Sequence, residues 1–150
     1  MTLTRITATK NVSLNRYEAE SAIDAAADLV RSRFATPGKH VIYADKRAEA
    51  ARYMEQVATG NEPVMSEFPY LSAEIGLTAD TALELAELWL WMDSAWKGAA
   101  AAIEQISLGG KAQVRQATSQ VQIDTIRSET IAALDGIGEK PPERPKHTQN

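Results

Sequence analysis

The apolar residues of this chain recur at helical spacing. Ala19, Ile23, Ala26, Val30 and Phe34 fall three or four residues apart and form one stripe, which predicts a first helix over about 15–34. Asn15, with Glu18 three residues on, has capping-box character, and Pro37-Gly38 ends the pattern. Tyr43, Ala50, Tyr53 (or Met54) and Val57 mark a second helix over about 40–58. Gly60-Asn61-Glu62-Pro63 stops it. The link between the two is short, so an antiparallel helical hairpin is expected.

Residues 64–77 read as a loop with one or two helical turns. Pro69 suits a first helical turn, and Gly76 suits a left-handed residue after the last one, with Leu77 supplying the accompanying apolar contact. Beyond it the periodicity becomes long. Thr78 is the expected N-cap. Leu85, Trp89, Met92, Trp96, Ala99, Ile103 and Ile106 alternate spacings of four and three, the coiled-coil period. The register runs on through Gly110, Val114, Ala117 and Val121, and Ile123, Ile126, Ile131 and Leu134 continue it on a shifted stripe.

A continuous helix from Thr78 to Leu134 would be roughly 85 Å long at ~1.5 Å per residue. A 150-residue globule has a radius of gyration of only ~15 Å. Either the helix breaks, most naturally at Gly109-Gly110, or it stays a rod and buries its stripe against other chains.

The two ends differ from this middle. In residues 1–12, Thr2, Thr4, Ile6 and Thr9 favour strand over helix, which predicts an extended arm, loose or paired with another chain. Residues 135–150 carry three prolines and few apolar side chains, the composition of a flexible tail. The expectation is therefore all-α: an arm (1–12), one helical domain (13–134) in which the hairpin packs on a long helix, broken or continuous, and a tail (135–150).

Composition sharpens this reading. The chain has 150 residues, 44% of them hydrophobic and 25 of them alanine, the best helix former. Cysteine is absent, which removes disulfides and thiolate chemistry. No apolar run approaches the ~18 residues that span a bilayer, and the start has no apolar core of a secretory signal. A protein made and kept in cytoplasm is the default expectation, with no membrane partner.

Charge is uneven. From Arg31 to Arg52 there are six Lys and Arg against two acids, whereas from Glu62 to Glu104 eight acids face Lys97 alone. Such blocks pair within the chain or steer subunit docking. The net charge of −4 argues against a general nucleic-acid binder. Tyr43 and Tyr53, interleaved with the basic residues, belong to the expected core stripe instead.

The search for chemistry returns little. His40 and His147 have no second histidine at metal-binding spacing. Glu84 and Glu87 share a helical face, yet the Glu-x-x-His motifs of carboxylate-bridged metal helices are missing. Gly110-Lys111 lacks both the upstream glycine and the following Ser or Thr of a phosphate loop. The expectation is no catalytic residues, no cofactor, no metal and no small-molecule substrate.

Leu83–Trp96 is the informative segment. Leu85, Leu88, Trp89, Met92 and Trp96 share one face; Leu83 and Leu90 lie roughly opposite, and Trp91 projects to a third side. A helix apolar nearly all round is covered on several sides. The cover is either the rest of a bundle or another subunit. Tryptophan is a frequent anchor at interfaces. Leu90, Trp91 and the arm residue Ile6 are the candidate interface residues.

One resemblance covers about two-thirds of the chain, Ala19 to Ala117. It rests on Ile23-Asp24-Ala25-Ala26-Ala27 with Arg33-Phe34, then on Tyr43, Lys46, Glu49-Ala50 and Tyr53. Phe68-Pro69-Tyr70-Leu71, Ala73-Glu74, Gly76, Trp96, Ile103-Glu104, Lys111 and Ala117 complete it. In these the chain resembles small proteins encoded in the tail-fibre and tail-assembly regions of tailed bacteriophages. It departs from them at Ser107, where an arginine is expected, and at Gly109-Gly110. The resemblance implies a structural tail component, at the baseplate or fibre-attachment region, acting through contacts with other tail or fibre proteins. A homo-oligomer or symmetric assembly, and residence in the virion, go with that role. The alternative is a tail-fibre assembly chaperone absent from the mature particle and confined to host cytoplasm. The resemblance implies no catalytic residues.

Overall fold

Two helix starts in this chain use the same device. Thr81 Oγ1 accepts from the Glu84 amide at 3.2 Å, and the Glu84 carboxylate reaches back to the Asp80 amide, also at 3.2 Å. Ser119 Oγ accepts from the Gln122 amide at 3.2 Å, and the Gln122 side chain accepts from the Thr118 amide at 2.8 Å. Each is a reciprocal cap in which the third helical residue satisfies the amide just before the N-cap. They open the helices α4 (Ala82–Gln116) and α5 (Gln120–Asp135).

The computed structural model describes residues 2–34 and 39–138, with side chains from residue 11 onward. The remaining helices are α1 (Thr2–Phe34), α2 (His40–Ala58) and α3 (Pro69–Glu74), with a 3-10 turn at Met65–Glu67. Among the described residues the fold is all-helical, with no strand.

Several expectations change. The extended arm is helix: α1 begins at Thr2, and Asn15 is an interior residue rather than a cap. No glycine or proline interrupts residues 2–34, and threonine costs only tenths of a kcal/mol against alanine in a helix. The Gly109-Gly110 break does not occur, because α4 runs through both glycines. The chain turns instead at residues 117–119, just ahead of the Ser119 cap. That turn leaves Val121, expected on the stripe, 75% exposed. Thr81 replaces Thr78 as the N-cap of α4.

The chain divides into two compact units. In the first, α1 and α5 join α4 from Gly98 onward; the second spans residues 39–97 of the described chain and is inserted in sequence between the two pieces of the first. The expected α1–α2 hairpin would join elements of different units, and its link, residues 35–38, lies outside the described residues.

In the first unit α1 runs antiparallel to α4. Arg31 pairs with Glu104, Asp24 with Lys111 at 2.7 Å, and Glu20 with Arg115. Arg16 Nε then donates to the Ala117 carbonyl at 3.1 Å, at the C-terminal end of α4. Helix α5 returns parallel to α1, with Asn15 bonded to Gln120 and Arg33 paired with Asp135 at 3.5 Å. The core joins Ala19, Ile23, Ala27 and Val30 to Ile103, Val114, Ala117, Ile123 and Leu134. The buried positions Ile103, Ser107, Gly110 and Val114 of α4, and Ala117 just beyond its end, keep the four-three spacing. This length of the stripe is therefore covered by helices of its own chain. Ile137, placed by sequence in the flexible tail, packs on the same core; residues 139–150 lie outside the described chain.

The second unit is built around Ala50, Phe68, Leu71, Leu85, Ala86 and Trp89. Helix α2 ends in a Schellman pair, with Gly60 N–H to the Val57 carbonyl and Asn61 N–H to that of Gln56. Pro69 takes the first position of α3, as expected. Gly76 does adopt a left-handed φ of 83° and donates to the Ala79 carbonyl at 2.8 Å. Leu77 makes no staple; it is 83% exposed.

Candidate interaction surface

The second unit is held together by residues with polar tips and apolar neighbours. Glu49 on α2 is buried, and its carboxylate accepts from the Leu71 amide at 2.7 Å. Leu71 is the third residue of α3, so Glu49 satisfies one of the amides that a helix start leaves unpaired. Lys46, one turn earlier on α2, pairs with Glu74 at the end of α3 and lies 5.0 Å from the Trp89 ring. Tyr53 meets Phe68 edge-on at 5.5 Å, and the Arg52 guanidinium lies 5.4 Å from that ring. The Tyr70 hydroxyl donates to Asp45. These contacts fix α3 against α2 and α4.

The residues behind the phage resemblance are thus mostly packing and pairing residues. Lys46, Glu49, Ala50, Tyr53, Phe68, Leu71 and Glu74 assemble the second unit. Ile23, Asp24, Ile103, Lys111 and Ala117 assemble the first. They define a helix arrangement and name no reaction.

Charge complementarity operates inside each unit. Of the six basic residues between Arg31 and Arg52, four form ion pairs and Arg52 stacks on Phe68. Burial disfavours the charge on Arg31, but hydrogen bonds and attraction from Glu104 and Asp28 outweigh it and raise its pKa. The pairs of Arg31 and Arg33 are solvent-exposed on both sides, where each contributes little to stability.

The candidate interface residues are placed as follows. Ile6 lies on helical backbone in α1, and its side chain falls outside the described residues. Leu90 is half-buried and packs against the core of the second unit, so its own chain covers part of it. Trp91 is also half-buried. On the same helix Leu83 and Met92 are 38% and 46% exposed. Ile6 belongs to the first unit, and Leu90 and Trp91 belong to the second.

Sequence reasoning misses Val41, Ile42 and Tyr43 as surface residues. All three are exposed in the first turn of α2, and Val57 is exposed near its end, although the stripe places Tyr43 and Val57 in the core. Three consecutive apolar residues cannot share one face of a helix, and that spacing is the available signal. Of thirteen exposed large apolar residues among the described ones, eight lie within 39–97, which makes this unit the candidate contact surface.

Among the described residues no group of three or more His, Cys, Asp or Glu is placed to hold a metal ion. No described helix is long and apolar enough to cross a membrane. The chain matches no protein-family profile, and searches of curated proteins and of solved structures return no match.

Proposed function

We propose that this chain is a structural component of a bacteriophage tail, at the baseplate or fibre-attachment region, and that it works through protein–protein contacts. The observation that carries the reading is the apolar surface of the 39–97 unit. Val41, Ile42, Tyr43, Val64, Leu77, Leu83 and Met92 stay exposed on a unit whose core is already filled, and Trp91 is half-buried beside them in sequence. Apolar surface that a chain leaves uncovered marks contact with other molecules when it forms a patch. The resemblance to tail-region proteins supplies the setting: other tail or fibre proteins as partners, a homo-oligomer or symmetric assembly, and residence in the virion.

The same surface also suits a second role, a chaperone that shields a tail fibre in host cytoplasm and leaves before the particle matures. Quantitative mass spectrometry of purified particles separates the two. Stoichiometric presence of this chain supports the tail component. Its absence from infectious particles overturns that reading in favour of the chaperone.

A further inference from the structure

We draw no further inference here: the strongest candidate, the exposed apolar surface on the first turn of α2 and the N-terminal half of α4, belongs to the surface already proposed for assembly contacts, and nothing in the structure shows what covers it.

Discussion

Gly110 on α4 lies directly against Thr130 on α5, so closely that a Cβ at position 110 would overlap the threonine side chain. The glycine is there for the approach of two helices, since its backbone is ordinary helix. A Cβ on its neighbour Gly109 would meet no other side chain within 4 Å.

The adjacent glycines should therefore respond oppositely to alanine. Gly109→Ala is expected to stabilise by about 0.5–1 kcal/mol through helix propensity alone. Gly110→Ala gains the same propensity but forces the helices apart, for a net loss of about 1–3 kcal/mol. Thr130→Ala in the Gly110→Ala background should recover part of that loss. Urea unfolding of the wild type and these three variants measures all of the effects. Equal stabilisation by both glycine substitutions would contradict the close approach.

Glu49 should matter more than a surface carboxylate. Glu49→Ala leaves the Leu71 amide without its buried acceptor and is expected to cost about 1–3 kcal/mol. Glu49→Gln keeps an oxygen in reach and should lose less. Thermal unfolding of the two variants checks the order.

The caps give a third expectation. Ser119→Ala and Thr81→Ala should each cost about 1 kcal/mol, whereas Thr78→Ala should cost much less. A loss at Thr78 as large as that at Thr81, measured by denaturant unfolding, would overturn the assigned start of α4.

Much of the helical architecture is legible in the sequence because burial follows period. Ile23, Val30, Leu85, Trp89, Ile103, Val114 and Leu134 all fall on the apolar stripes, and all are buried. Three departures have different physical origins. In residues 2–12 the strand preference of threonine and isoleucine is a weak prior that an uninterrupted helix overrides. At Gly109-Gly110 the local cost of glycine suggests a break, although the need at Gly110 is set by Thr130, twenty residues away. The turn at 117–119 is announced by Ser119-x-x-Gln122, a cap signature that carries no apolar period and so escapes a reading built on stripes.

The candidate surface is legible only in part. Winding the sequence on a helix sets Leu90 and Trp91 away from the Leu85–Trp89 face, and both are half-buried. Periodicity cannot divide the chain into two units, because that division depends on contacts between distant segments. Tyr43 reads as inward for the same reason, although it is exposed.

The central claim is that apolar surface on the 39–97 unit makes contacts with other molecules. Size-exclusion chromatography with light scattering on the full chain and on Trp91→Ala tests it most directly, with far-UV circular dichroism and thermal unfolding alongside. The expected result is an oligomer at micromolar concentration that Trp91→Ala dissociates without loss of helicity. A wild-type chain that stays monomeric, with Trp91→Ala lowering only the unfolding temperature, would contradict it.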